Sequence, residues 1–144
     1  MARISEYASL IDTYLKHLAL VLRDVDDPKT FEERVEVMYS TMHILQLAIQ
    51  ALLDMSMRLI ALIGAERPET YAEVADVLYA NGVLGEEERE LLRNMAKFRN
   101  LLVHVYARVD PAIVFTIAKE RARSDIGRVA RRIVEEARRR GLDP

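Results

Sequence analysis

The sequence predicts an all-α fold, an antiparallel four-helix bundle with one extra short helix. Apolar residues recur three and four positions apart along most of the 144 residues, which is the spacing of helix faces. No stretch alternates polar and apolar residues with the period of two that marks a strand. Glycine and proline number only 5 and 4, too few for the turns of a β-sandwich. A chain of this length builds one core, so we expect a single helical domain over residues 1–144.

The first two helices are predicted from an apolar stripe and a capping signal. One stripe covers residues 4–22, and the stretch Asp24–Pro28 interrupts it. Aspartate followed by proline is a typical helix start, so a second helix is expected to run unbroken over Pro28–Ile63 and to end at Gly64. The second half of that helix, Ile44–Ile63, is apolar nearly all round. This half is therefore predicted to be the central buried helix.

Three more helices follow along the chain. A short third helix is predicted over Thr70–Ala80. The fourth begins at the acidic run of residues 86–88, which suits the positive end of a helix dipole, and continues to about Tyr106. Asp110-Pro111 repeats the capping signal and opens a fifth helix, which ends at residues 138–141, three arginines and a glycine.

Composition excludes several classes of function. The chain has no cysteine, so disulfides, thiolate metal sites and cysteine nucleophiles are ruled out. It contains no glycine-rich phosphate loop and no cluster of histidines, and we expect neither a metal nor a cofactor. The longest uncharged stretch, Val37–Leu53, carries His43 and two glutamines, so no membrane span is expected. No apolar signal segment follows the first residues, which predicts a soluble protein of the cytoplasm.

Charge is distributed unevenly along the chain. The net charge of −2 argues against binding nucleic acid by bulk electrostatics, but the residues from Lys119 onward carry +4 while residues 1–118 carry −6. Two interpretations of the arginine-rich last helix remain open. Its charges form either a solvated face with a helix-end preference or a footprint for an RNA backbone. No aromatic side chains interleave with them for base stacking, which favours the solvated face.

The most informative stretch is Lys97–Tyr106. On a helical wheel Arg99 lies in the middle of an apolar stripe, with its apolar neighbours within about 60° and Tyr106 about 20° away. Arginine is almost never fully buried without a partner, so this position needs an explanation. Asn100 and His104 are four residues apart and share one flank of the same stripe.

This group of side chains has two interpretations. A structural ion pair and cap near a helix end would account for an arginine, an asparagine and a histidine without any chemistry. Alternatively, a cleft that holds a guanidinium, an amide, an imidazole and a phenol suits a phosphodiester. Arginine binds phosphate oxygens in a bidentate manner, and histidine exchanges protons near neutral pH.

A second polar feature interrupts the otherwise apolar central helix. Five residues form a stripe about 120° wide along it. They are His43, Gln46, Gln50, Asp54 and Arg58. The simpler interpretation is that the stripe is the solvent side of the helix. The functional alternative is that Asp54 faces the motif and either pairs with Arg99 or orients His104.

The segment Arg99-Asn100-x-x-x-His104-x-Tyr106 resembles the Arg-x4-His-x-Tyr signature of the HepT-like branch of the HEPN superfamily. Residues 95–98 resemble that family's approach to the motif. Residues 47–54 resemble its second helix, and residues 68–84 its short third helix and turn. The resemblance covers roughly residues 5–135, nearly the whole chain. One departure from the pattern is Val105, where relatives often carry a small or polar residue.

The resemblance implies a HEPN-like bundle that acts as the ribonuclease toxin of a toxin–antitoxin pair, with tRNA or mRNA as substrate. Such toxins are homodimers whose motifs face each other across a cleft. Their antitoxin partner is an MntA-type minimal nucleotidyltransferase, which neutralises the toxin by transferring AMP from ATP to the motif tyrosine. Carried over to this chain, Arg99 and His104 would be catalytic and Asn100 would orient them. Tyr106 would be both a site residue and the AMP acceptor.

Three functions remain open at this point. The first is the ribonuclease toxin, and the second is a non-catalytic HEPN module, an interaction or nucleotide-binding subunit of a nucleotidyltransferase complex. The third is a structural bundle whose only function is its dimer interface. A silent module has no chemical need for Arg99, His104 and Tyr106 together, which favours the first. RNA brings its own nucleophile, the 2′-hydroxyl, so metal-independent cleavage needs only a proton-transfer group and a cation for the phosphorane.

Overall fold

Helices make up the regular structure of residues 2–104 and 108–143, the part of the chain that this computed structural model describes. No strand occurs within those two ranges, and the predicted all-α class is confirmed. The elements in chain order are α1 (Ile4–Val21), α2 (Pro28–Glu33), α3 (Val35–Ile63), α4 (Tyr71–Ala80), α5 (Glu86–His104), α6 (Pro111–Thr116), a π-helical segment (Ile117–Arg121) and α7 (Ala122–Arg139).

The bundle is organised around α3, which packs against α1, α2, α4, α5 and α7. Helix α1 lies against α3 and α7, while α5 lies against α3, α4 and α7. The long helices α1 and α5 therefore occupy diagonal positions, with α3 and α7 between them. The short helix α4 covers α5 and α3 on one side of the bundle.

The prediction that the second half of the long apolar segment is the central helix is confirmed. Leu45, Leu52 and Leu59 are fully buried along α3. By length and composition alone α3 would be long and apolar enough to cross a membrane, with a mean hydropathy of 1.4 in its most apolar window. Within the bundle, 56% of that window is buried by neighbouring helices. Its apolar composition is thus explained by its place in the core.

The expected unbroken helix over Pro28–Ile63 is wrong, because the chain turns at Arg34. The predicted start is correct, since the Asp27 carboxylate accepts a hydrogen bond from the Thr30 N–H at 2.9 Å. After one and a half turns, however, Arg34 takes φ −89° and ψ 80°, which is not helical. Helix α2 buries Phe31 against Phe115 of α6, with ring centroids 5.4 Å apart. The break directs α2 toward α6 while α3 follows the bundle axis.

The fifth helix begins and ends where predicted but is not regular throughout. The Asp110 carboxylate caps its first turn, and the chain leaves it through Gly141 at φ 65°. Between α6 and α7 lies the π-helical segment Ile117–Arg121. Buried positions in this region recur every four residues, at Val114, Ala118, Ala122 and Ile126. In a regular α-helix, residues four positions apart differ by about 40° in direction around the axis, so these side chains would progressively turn away from the core. The wider π-helical turn reduces this angular difference.

Helices α4 and α5 agree with the expectation. The Thr70 hydroxyl accepts a hydrogen bond from the Glu73 N–H at 3.3 Å and caps α4. Helix α5 starts at Glu86, within the acidic run. Its described part ends at His104, and the predicted continuation to Tyr106 lies outside the described residues.

The C-terminal segment ties both ends of the chain to α3. The Asp143 carboxylate accepts hydrogen bonds from the Ile4 N–H at 2.8 Å and from Arg58 Nη2 at 3.1 Å. The hydrogen bond from Arg58, together with that from the Ile4 N–H, lowers the pKa of Asp143 below its ordinary value. The folded state therefore prefers the ionised form of this carboxyl.

Acid should weaken the hydrogen bonds that the Asp143 carboxylate accepts from Ile4 and Arg58. A carboxyl with a lowered pKa stabilises the fold fully above the pKa of an unfolded aspartate, about 3.8, and this stabilisation is lost as the pH falls through the folded value. We expect Asp143→Asn to lower the Tm near neutral pH and to flatten the loss of Tm in acid, as measured by circular dichroism. Asp12→Asn is the control, since Asp12 forms an ion pair with Lys16 on the exposed surface. If the Tm of wild type and of Asp143→Asn fell identically with pH, the Asp143 carboxylate would not contribute to the acid dependence of stability.

Candidate functional site

Arg99 occupies the apolar face of α5 between buried and half-buried neighbours. Leu92 and Leu102 on this face are buried, and Met95 is half-buried. The Arg99 side chain is itself half-buried, and its Nε has no hydrogen-bond partner within the described residues and no exposure to solvent. Part of the guanidinium is thus desolvated, while the rest remains accessible.

Neutral groups hold the Arg99 guanidinium in place. Its Nη1 donates a hydrogen bond to Asn100 Oδ1 at 3.2 Å, and its Cζ lies 5.1 Å from the centroid of the Tyr71 ring on α4. The second contact is within the range of a cation–π interaction. Among residues 2–104 and 108–143, no aspartate or glutamate forms an ion pair with Arg99. The group therefore keeps an uncompensated positive charge, which an anionic ligand would neutralise.

A short chain of hydrogen bonds connects Tyr71 to the polar stripe of α3. Gln50 Nε2 donates to the Tyr71 hydroxyl at 3.2 Å and to Asp54 Oδ1 at 2.9 Å. Asp54 is thereby linked to Arg99 only through Gln50 and the Tyr71 ring. Direct pairing of Asp54 with Arg99, one form of the functional alternative, is not what the structure shows.

The polar stripe of α3 is mostly covered. Of its five members only His43 is exposed, and the others are half-buried. At one end Arg58 contacts Asp143, and in the middle Gln50 contacts Tyr71. The solvent-side interpretation therefore holds for His43 alone. Gln50 meets the N-terminal end of α4, and Arg58 meets the C-terminal segment.

His104 is placed differently from Arg99. It is exposed at the end of the described part of α5, and its imidazole forms no hydrogen bond to the residues described. Five positions separate it from Arg99, which corresponds to about 140° around the helix. The imidazole is therefore accessible to a bound molecule. Tyr106, the last residue of the motif, lies outside the described residues.

A groove of about 600 Å³ borders this network. Asp54 and Tyr71 contribute to its wall, and the remaining lining comes from the end of α3 and the loop before α4. In the described ranges no three histidines, aspartates or glutamates come together as a metal-binding group. Within those ranges the polar chemistry of the site consists of a guanidinium, two amides, a phenol, a carboxylate and an imidazole.

Sequence reasoning assigned no role to Tyr71. The residue lies on α4, remote in sequence from the motif, and nothing in its spacing connects it with Arg99. The contact arises because α4 packs on α5. Gln50 was recognised only as a member of the polar stripe. Its geometry shows that it joins the stripe to the site.

Comparison with protein families gives a match over most of the chain. The model of a family described as ribonuclease HepT-like matches residues 4–133. Comparison with curated proteins gives no match.

Three solved structures share the fold. A chain of a toxin–antitoxin crystal structure with AMP-PNP has a TM-score of 0.83 at 18% identity, and the match covers 92% of this chain and 97% of that one. A chain from the complex of a tri-AMPylated Shewanella oneidensis HEPN toxin with its MNT antitoxin gives 0.82 at 19% identity, with coverages of 92% and 96%. YutE, a cytosolic protein of unknown function from Bacillus subtilis, gives 0.77 at 21% identity, with coverages of 97% and 93%.

The contact between Tyr71 and Arg99 should be measurable as a coupling energy. In a double-mutant cycle of Tyr71→Leu and Arg99→Met, we expect the free energies of unfolding to be non-additive by about 0.5–1 kcal/mol, because each single change removes the same cation–π contact. Urea denaturation measures the four proteins. Tyr71→Leu with Arg93→Met is the control cycle, since Arg93 lies on the same helix but contacts Asp76. Equal coupling in both cycles would argue against the contact.

Proposed function

Since this chain belongs to the ribonuclease HepT-like family, we propose that it is the toxin of a toxin–antitoxin pair and a metal-independent endoribonuclease of the cytoplasm. One observation carries the proposal. The half-buried Arg99 guanidinium is held by Asn100 and Tyr71 without any carboxylate from the described part of the chain, on the same helix as the exposed His104. A structural arginine at such a site would be expected to pair with an acid.

The proposed reaction uses the nucleophile that RNA supplies. The 2′-hydroxyl oxygen attacks the adjacent phosphorus and loses its proton, and the bond from phosphorus to the 5′-oxygen breaks as that oxygen is protonated. The products are a 2′,3′-cyclic phosphate and a free 5′-hydroxyl. His104 exchanges the proton with one of the two oxygens, and Arg99 stabilises the additional negative charge of the phosphorane.

Asn100 and Tyr71 act in this proposal by positioning Arg99. The hydrogen bond from Nη1 to Asn100 uses one N–H group of the guanidinium, and the Cζ atom lies over the Tyr71 ring. A charge that is already oriented costs no reorganisation when the phosphorane forms. Partial desolvation strengthens its attraction for phosphate oxygens relative to a solvent-exposed arginine.

A homodimer completes the proposed site. Leu101 lies between Asn100 and His104 in the motif and is 48% exposed, so apolar surface is available beside the motif. A second protomer packed over this face would cover Leu101 and bring the two motifs together. The histidine of one protomer would then serve as base and that of the other as acid.

The proposed antitoxin is an MntA-type minimal nucleotidyltransferase that transfers AMP from ATP to Tyr106. The transfer joins the tyrosine oxygen to the α-phosphorus and releases pyrophosphate. On the helical wheel Tyr106 lies close to the line of Arg99, so the added phosphate would occupy the region where Arg99 binds the substrate phosphate. The adenylyl group would therefore exclude RNA by bulk and by charge.

The nuclease proposal predicts that His104→Ala lowers the cleavage rate by about 10²–10⁴-fold, the usual contribution of a proton-transfer group. The Tm should not change, because His104 is exposed and its imidazole forms no hydrogen bond to the described residues. Cleavage is followed on labelled RNA in EDTA, with mass spectrometry to detect the cyclic phosphate. His43→Ala provides the matched control, as it removes an exposed histidine outside the motif. Activity that disappears with EDTA and returns with magnesium would refute the mechanism, and complete inactivity of the wild type would favour a non-catalytic module.

Control by the antitoxin is tested by incubating the protein with the cognate nucleotidyltransferase, ATP and Mg²⁺. Wild type should gain AMP mass on Tyr106 and lose nuclease activity, whereas Tyr106→Phe should gain none and retain whatever activity it had. Tyr71→Phe is the control, because it removes the phenol whose ring contacts Arg99 and should still be modified. Modification at Tyr71 or Tyr79, or silencing without any mass gain, would overturn this scheme in favour of inhibition by complex formation.

A further inference from the structure

The arginines at the C-terminal end of the bundle fall into two groups. One group is engaged within the protein. Its members and partners are Arg121 with Asp125, Arg128 with Glu87 and Glu88, Arg132 with the Val83 carbonyl, and Arg139 and Arg140 with Glu136. These contacts explain why so many arginines accumulate on α7 without invoking a ligand.

The second group consists of Arg123, Arg131 and Arg138. Within residues 2–104 and 108–143 none of these three forms an ion pair or a hydrogen bond through its side chain. Glu135 is one helical turn from both Arg131 and Arg138, at spacings of four and three, and yet pairs with neither. These three guanidinium groups therefore remain available to an anionic ligand.

All three of these arginines line one groove. It runs between α1 and α7, encloses about 620 Å³, and has Ile11, Leu15 and Val134 among the residues that line it. The charged side chains that line the groove besides the arginines are Lys16 and Asp12, which pair with each other at 2.9 Å, and Glu135. The lining therefore carries a net positive charge.

Gly127 shapes the groove between two of the arginines. Glycine is unfavourable inside a helix, so its presence in the middle of α7 calls for a local reason. A Cβ at this position would lie 3.3 Å from Arg131 Nη1. The Arg131 guanidinium therefore lies close to the α7 backbone at Gly127.

The spacing of the three arginines indicates the shape of the ligand. Arg123, Arg131 and Arg138 follow one another at eight and seven positions, or about 12 and 10 Å along the helix axis. They are too far apart to converge on a single phosphate, and they form a row instead of a cluster. An extended chain of negative charges fits this row better than a small anion or a compact acidic patch.

We propose that the groove between α1 and α7 binds the phosphate backbone of RNA. The identification of the RNA as a substrate rests on the proposed nuclease function. Because α1 and α5 are diagonal in the bundle, this groove is separate from the Arg99 site and would hold a part of the molecule remote from the cleaved bond. Binding there would be independent of sequence, because contacts to phosphate carry no information about the bases. Among the described residues no aromatic side chain lines the groove for base stacking.

The test uses two variants of equal charge change in a His104→Ala background, so that RNA is bound but not cleaved. The groove variant carries Arg123→Gln, Arg131→Gln and Arg138→Gln. The control variant carries Arg121→Gln, Arg128→Gln and Arg139→Gln, which removes arginines that the protein itself engages. Circular dichroism establishes that both variants fold. Fluorescence anisotropy with a labelled single-stranded RNA then gives the binding constant over a series of KCl concentrations.

Loss of three phosphate contacts should reduce the slope of log K against log salt by about 2, since each contact to a single strand contributes about 0.7. The control variant should keep a slope close to that of its parent. Equal slopes for the groove variant and its parent would overturn the proposal. So would a groove variant that binds RNA normally but fails to bind the purified nucleotidyltransferase, because the groove would then recognise an acidic protein surface.

The same measurement separates this inference from the nuclease proposal. Binding by the His104→Ala protein does not require catalysis. A groove-dependent salt slope combined with a wild type that cleaves no RNA would support the groove and refute the nuclease. Normal cleavage by wild type combined with an unchanged slope would refute the groove alone.

Discussion

The burial of α3 is the constraint on which the rest of the structure depends. Leu45, Leu52 and Leu59 have no exposed surface, and five other helices pack around this one. A polar side chain on such a helix needs a partner from a neighbouring element or from the helix itself. Ser56 bonds to the Leu52 carbonyl at 2.8 Å, whereas Gln50 extends to α4. The same packing that builds the core thus brings a polar contact to the edge of the motif.

The environment of Arg99 follows from that arrangement. Helix α5 packs against both α3 and α4, so an arginine on its inner face is half-buried near the junction of three helices. The groups it meets there are the Asn100 amide and the Tyr71 ring, which orient the guanidinium without neutralising it. A carboxylate in the same position would have stabilised the resting protein but would have competed with a phosphate. The structure therefore keeps its positive charge available for a ligand.

The two central residues of the motif differ in how they are held. Arg99 is oriented by contacts from two helices, while His104 stands exposed at the end of the described helix. This difference suits the reaction proposed above. Arg99 would stabilise charge best from a fixed position, and His104 would need access to the oxygen with which it exchanges a proton.

Local chemistry in the sequence determined the helices and most of their ends. Aspartate before proline at 27–28 and 110–111, and glycine at 64 and 141, act within a single turn, so they could be identified without knowing what packs nearby. The 3.6-residue period likewise placed Arg99 on the inner face of its helix. Tertiary packing alone decided the break at Arg34, the wide turn at Ile117–Arg121 and the contact between Arg99 and Tyr71. Tertiary packing also decided which arginines of α7 form ion pairs or hydrogen bonds. All four features depend on groups that come together only when the chain folds.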